Sequence, residues 1–134
     1  MDLPATMRGL VLRHDGFSND TTGQRLETLE PYVALEELSL PRPGPGQALV
    51  RVARAAVNPS DVAFIKGIYG QARKRGVPAG FEGTGTVVAG DTPLMGQRVS
   101  FFGGGSGTWA EYALGDIAGL IPLRPDLRDE DAAG

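Results

Sequence analysis

No cysteine occurs anywhere in the chain. Disulfide scaffolds, thiolate metal sites and cysteine nucleophiles are therefore excluded. His14 is the only histidine. No nucleophile or acid stands at motif spacing from it, so a serine-hydrolase triad has no support and His14 is expected at the surface. Basic residues do not exceed acidic ones: 13 Lys and Arg against 16 Asp and Glu give a net charge of -3. That balance argues against nucleic-acid binding, which needs a basic excess. No apolar run approaches the ~20 residues of a membrane span. The start, Met1-Asp2-Leu3-Pro4, has no basic segment followed by an apolar one and does not read as a secretory signal, so a cytoplasmic location is expected.

Glycine and proline are abundant: 20 and 10 of 134 residues. Set among short apolar runs, they indicate many turns and a β-rich domain rather than disorder. The length suits one domain with its own core. Residues 7–13, 32–40, 48–57, 84–89, 97–102, 108–114 and 120–123 read as strands. The best is 48–57, where Leu49, Val50, Val52 and Val57 give a half-buried pattern. Pro41-Arg42-Pro43-Gly44-Pro45-Gly46 is a turn that no helix can cross. Residues 15–31 lack periodicity and read as an exposed loop, and 71–80 as a basic one.

One short helix is predicted over 58–66. Asn58 suits the N-cap, Pro59 the first helical position, and Asp61 the N3 site from which an acid bonds back to the cap. Gly67 suits the C-terminal end. A second helix is expected to begin within 126–134. Seven strands, one internal helix and many glycine turns make the expected fold mainly β, a partly open barrel. The run Gly103–Gly107 lacks the Lys-Ser/Thr ending of a phosphate loop and precedes a strand, so it reads as a hairpin turn. The basic triplet Arg73-Lys74-Arg75 is either a phosphate contact or, the preferred reading, a solvated loop.

Five motifs follow in order: Pro43-Gly44-Pro45-Gly46, Val57-Asn58-Pro59-Ser60-Asp61, Gly80-Phe81-Glu82-Gly83-Thr84-Gly85, Gly96-Gln97-Arg98-Val99 and Gly107-Thr108-Trp109-Ala110-Glu111-Tyr112. In this order the chain resembles the GroES-like catalytic domain of the medium-chain dehydrogenase/reductase superfamily, from Met7 to Gly134. Zinc enzymes of that superfamily carry a cysteine and a histidine in two of these motifs; the matching positions here are Asn58 and Phe81, neither a zinc ligand. The resemblance is therefore to the zinc-free branch, the quinone oxidoreductases and enoyl-thioester reductases. The sequence departs from the pattern at a shortened turn, Gly90-Asp91-Thr92-Pro93, and at Gln97, where an aspartate is usual.

The resemblance implies a zinc-independent, NADPH-dependent reduction of a quinone, enone or enoyl thioester. It assigns residues 1–125 to the substrate-binding domain and 126–134 to the start of a connection to a Rossmann domain. It implies a small-molecule substrate and a homodimeric full-length protein; charge and the lack of long apolar runs already argue against a nucleic-acid or membrane partner. Asn58 and Ser60 would lie beside the nicotinamide. Tyr69, in Gly67-Ile68-Tyr69-Gly70, would activate or protonate the substrate; the alternative is a tyrosine at a loop edge with its hydroxyl in water. Phe81 and Trp109 would wall the substrate pocket, or belong to the core. Asp61 and Glu82 read as structural, the latter paired with an arginine. A non-catalytic GroES-like interaction module and a silent reductase homologue remain as rivals.

Overall fold

A computed structural model describes residues 2–103 and 106–132, the side chains of 129 and 130 apart. Seven strands form: β1 (Thr6–Leu12), β2 (Val33–Ser39), β3 (Gln47–Ala55), β4 (Glu82–Gly90), β5 (Arg98–Phe102), β6 (Tyr112–Asp116) and β7 (Ile121–Pro122). Helix α1 (Pro59–Ile65) lies between β3 and β4, and α2 (Asp129–Ala132) follows β7. Of the glycine run, Gly104 and Gly105 lie outside the described residues, as do Ala133 and Gly134 of the expected second helix.

A five-stranded antiparallel sheet has the order β6-β3-β4-β5-β7. An isolated bridge between Gly103 and Gly115 joins the end of β5 back to β6. The sheet is thereby almost closed on itself, a partly open β-barrel. Its interior holds Ala48, Val50, Val87, Val99, Phe101, Ala113 and Leu120. The β1–β2 hairpin lies apart and is tied on by bridges from Gly9 to Ala110 and from Val11 to Pro78. A second apolar cluster, with Leu12, Val33, Ile65 and Ala79 at its centre, joins this hairpin to α1.

Strand β3 departs from the half-buried pattern expected of it. Ala48, Leu49 and Val50 are all buried. The strand is central, with β4 on one side and β6 on the other. Ala48 and Val50 face the barrel interior, while Leu49 lines an outer groove shared with Leu3 and Leu40. Residues 108–111 also differ from expectation: the strand begins only at Tyr112. Trp109 donates its N–H to Ala79 O at 2.9 Å and accepts from Leu10 N at 2.8 Å. Its two backbone groups thus serve two different segments rather than one ladder.

Two glycines of the fourth strand and its approach are required by space. A Cβ on Gly85 would collide with the Arg51 carbonyl across the sheet. Gly80 has φ +96° and its missing side chain leaves room for the Trp109 ring, a conformation and an approach open only to glycine. The Trp109 indole then donates to Ala56 O at 3.0 Å.

Candidate active-site groove

Helix α1 starts as its sequence predicts. Asn58 is extended (φ -106°, ψ 162°), Pro59 opens the helix, and Asp61 at N3 reaches back. Its Oδ2 accepts the Asn58 N–H at 2.7 Å. Asp61 is fully buried, and its other oxygen, Oδ1, accepts the Phe81 N–H at 3.1 Å. One carboxylate thus joins the 58–61 turn to the approach to β4. Burial raises the Asp61 pKa above the ordinary aspartate value, and the nearby Glu82 charge adds to this; the two backbone N–H bonds pull the other way.

Asn58 contributes a second link. Its Nδ2 donates to Glu82 Oε2 at 2.7 Å. Glu82 is therefore partnered by an asparagine amide and not by the expected arginine. The amide suffices because it supplies one N–H to a half-buried carboxylate oxygen without bringing a second charge.

These links frame a groove of about 780 Å³ lined by Ser60, Tyr69, Gln71, Phe81, Glu82 and Phe102, together with Gly70 and Gly103. Phe81 stands between two rings: Phe64 at 5.1 Å between centroids and Tyr69 at 5.6 Å. It lines the groove and, through Phe64, leans on the second core cluster. Tyr69 is 42% exposed, and its hydroxyl makes no hydrogen bond among the described residues. Ser60 likewise presents a hydroxyl with no partner among them.

The structure brings together Ser60, Tyr69 and Phe81 on one groove, with Asn58 behind it. It does not bring Trp109 there. That indole sits on the Gly80 side, with Ala56, and borders a separate shallow groove with Arg8, Leu10 and Arg54. Gln71 and Phe102, which the sequence reading did not single out, also line the site. An exposed glutamine in a loop and a phenylalanine at a strand end carry no periodic signal that would have marked them. His14 is exposed, as expected, and its Nε2 lies 2.8 Å from Pro31 O.

The basic triplet divides. Lys74 and Arg75 are exposed, but Arg73 is buried, which corrects the reading of a uniformly solvated run. Arg73 Nε donates to Gly16 O at 2.9 Å and Nη1 to Ile65 O at 3.2 Å. Backbone carbonyls thus take two N–H groups of that guanidinium.

Among the described residues no group of three or more His, Cys, Asp or Glu could hold a metal ion. No helix among them is long and apolar enough to cross a membrane.

Barrel, capped turn and groove define the class. Residues 44–125 match the alcohol dehydrogenase GroES-like domain, and the chain belongs to that family. It is 50% identical to a candidate NADPH:quinone reductase from Mesorhizobium loti, with a TM-score of 0.93 over 99% of this chain and 41% of that one. It is 38% identical to bovine (Bos taurus) prostaglandin reductase-3 over 75% of this chain and 27% of that protein. It is 29% identical to the bovine mitochondrial enoyl-[acyl-carrier-protein] reductase over 97% of this chain and 33% of that protein. The chain thus spans about a third or less of these two curated relatives.

Proposed function

We propose that this chain is the substrate-binding half of a zinc-independent, NADPH-dependent reductase acting on a quinone, an enone or an enoyl thioester. The observation that carries the proposal is the convergence of Ser60, Tyr69 and Phe81 on one groove braced by Asn58, Asp61 and Glu82. The names of the similar proteins support the same chemistry. In this reading residues 1–125 form the substrate domain, and 126–134 lead toward a dinucleotide-binding domain of the complete protein. Two facts support that division: no Gly-x-Gly-x-x-Gly follows a strand in this sequence, and the chain corresponds to 41% of the similar Mesorhizobium loti protein.

The residues present fit a nicotinamide ring. Ser60 offers a hydroxyl for a carboxamide, and Phe81 and Tyr69 offer ring faces, while Asn58, its amide engaged with Glu82, supports this turn from behind. When bound, the cofactor supplies hydride. Hydride added to the β-carbon of an enone leaves negative charge on the carbonyl oxygen. The Tyr69 hydroxyl, exposed and uncommitted, donates a hydrogen bond to that oxygen or passes a proton to the α-carbon. The Phe81 and Tyr69 rings hold a flat conjugated substrate, with Phe64 supporting Phe81 from the core side. Asp61 is buried and fixes the turn that carries Asn58 and Ser60, and Glu82, at the groove wall, braces the same turn through Asn58. Asn58 and Phe81 occupy the positions where zinc enzymes carry ligands, so substrate polarisation falls to Tyr69 rather than to a metal.

The test is NADPH oxidation by the full-length protein with an enone, an enoyl thioester and a quinone. Turnover with at least one is expected. Cofactor binding without turnover of any class would instead indicate a silent homologue.

A further inference from the structure

Lys66 is a charged side chain with almost no solvent exposure, 1%. It follows α1 and points into residues 15–31, the segment that sequence alone reads as a free loop. Its ammonium donates to Thr22 Oγ1, to Gly23 O at 2.7 Å and to Arg25 O at 2.7 Å. All three donors of the ammonium are used. The Asp20 carboxylate lies 3.6 Å away. Hydrogen bonds from the Thr22 hydroxyl and N–H, with a smaller contribution from Lys66, hold the Asp20 carboxyl below its ordinary range, so it stays ionised beside the lysine. The backbone repeats the connection: Ser18 Oγ donates to Lys66 O, and Ser18 N donates to Gly67 O at 3.0 Å.

Arg73 makes a second crossing from the far side. It bridges Gly16 O and Ile65 O through its side chain. Its backbone exchanges two hydrogen bonds with Gly16, at 2.8 and 3.2 Å. The guanidinium lies against Gly67, where a Cβ would stand 2.7 Å from its central carbon. Between these two cations runs the turn that bears Tyr69. The tyrosine side chain makes no hydrogen bond among the described residues, so its place is set by this backbone and by contact with Phe81.

We propose that Lys66 and Arg73 are positioning residues: they clamp the 15–25 loop onto both ends of the 67–72 turn and thereby set Tyr69 against the substrate groove. The role of Tyr69 in turnover rests on the function proposed above; the clamp itself does not. A buried ammonium stripped of its loop partners is costly, so loop and turn hold together or loosen together. Placement of a reacting group is sensitive to such loosening: a shift of about 1 Å can cost about 100-fold in rate.

The test uses full-length protein carrying 3-fluorotyrosine. There are three tyrosines in residues 1–134, and Tyr69→Phe assigns the relevant fluorine resonance. Lys66→Met keeps most of the unbranched side chain and removes its donors. Three changes are expected in this variant: faster tryptic cleavage after Arg25, a shifted or broadened Tyr69 resonance, and a kcat lowered about 10- to 100-fold with KM for NADPH within about twofold. If Lys66→Met does not fold, the double variant Ser18→Ala, Asp20→Asn weakens the loop side of the clamp with both cations kept, and smaller shifts of the same sign are expected. An unmoved Tyr69 resonance in a folded variant whose loop has opened overturns the clamp. So does a moved resonance with unchanged turnover when Tyr69→Phe does lower turnover. If Tyr69→Phe itself leaves turnover unchanged, the assigned chemistry fails, and the resonance alone decides the clamp.

Discussion

The buried carboxylate of Asp61 accepts the backbone N–H of Phe81 at 3.1 Å while its other oxygen holds the N–H of Asn58. Two loops distant in sequence share one acceptor residue, and both frame the same groove. The helix cap and the site are therefore one structure: what starts α1 also sets the distance between Ser60 and the Phe81 ring.

Replacing Asp61 with asparagine tests this link. Asparagine keeps one acceptor oxygen and turns an N–H₂ toward the other donor, leaving a backbone N–H unpaired. A loss of about 1–3 kcal/mol is expected by urea or thermal melts. The loss should depend on pH in a defined direction. The folded pKa of Asp61 is raised above its unfolded value, about 3.9. Between those values the folded state binds more protons than the unfolded, so wild-type stability falls as pH rises through the window. The deficit of the asparagine variant should be largest at low pH and narrow as pH rises. A deficit that widens over that range would contradict the assignment.

Asn58→Asp places a carboxylate where an amide now donates to Glu82 Oε2 at 2.7 Å. Two acids would then share a site already beside Asp61, and at least one should stay protonated well above the ordinary range. Stability of this variant, relative to wild type, should fall as pH rises through that raised value. Melting curves at several pH values check it; a pH-independent difference would show that the amide–carboxylate contact carries little.

Gly80→Ala meets two obstacles, an unfavourable φ of +96° and the Trp109 ring. The backbone strain and the overpacking together should cost about 2–4 kcal/mol. Trp109 is the only tryptophan in residues 1–134, so its fluorescence should report the displacement directly. Unchanged stability and emission would mean that the close approach is not required.

Purified full-length protein should contain no stoichiometric zinc, because Asn58 and Phe81 stand at the two motif positions and the chain has no cysteine in residues 1–134. Elemental analysis finding one zinc per chain, bound through these residues, would overturn the metal-free assignment.

The strands and α1 were legible because their signals are local. The Asn58-Pro59-Ser60-Asp61 cap states its own geometry, and the glycine turns separate short apolar runs at strand length. The groove was partly legible, through Ser60, Tyr69 and Phe81, because ordered motifs bring a resemblance with them. What could not be read depends on distant partners. Lys66 at a helix end looks solvated until the loop bearing Thr22, Gly23 and Arg25 folds over it. Arg73 is indistinguishable in sequence from Lys74 and Arg75, yet only Arg73 turns inward, onto carbonyls of Gly16 and Ile65. Trp109 sits among strand-forming residues, but its backbone answers to Leu10 and Ala79 at once, which no regular ladder permits.

The most direct measurement is the turnover of Tyr69→Phe in the full-length protein with an enoyl substrate and with a quinone, side by side. The variant keeps the ring against Phe81 and removes only the hydroxyl. With the enoyl substrate, whose α-carbon must be protonated, kcat should fall by ~10- to 1,000-fold with little change in KM. With the quinone, whose product is protonated at oxygen and exchanges with water, the fall should be smaller. Near-wild-type turnover with both substrates would contradict the assignment and leave Tyr69 as a ring that packs against Phe81.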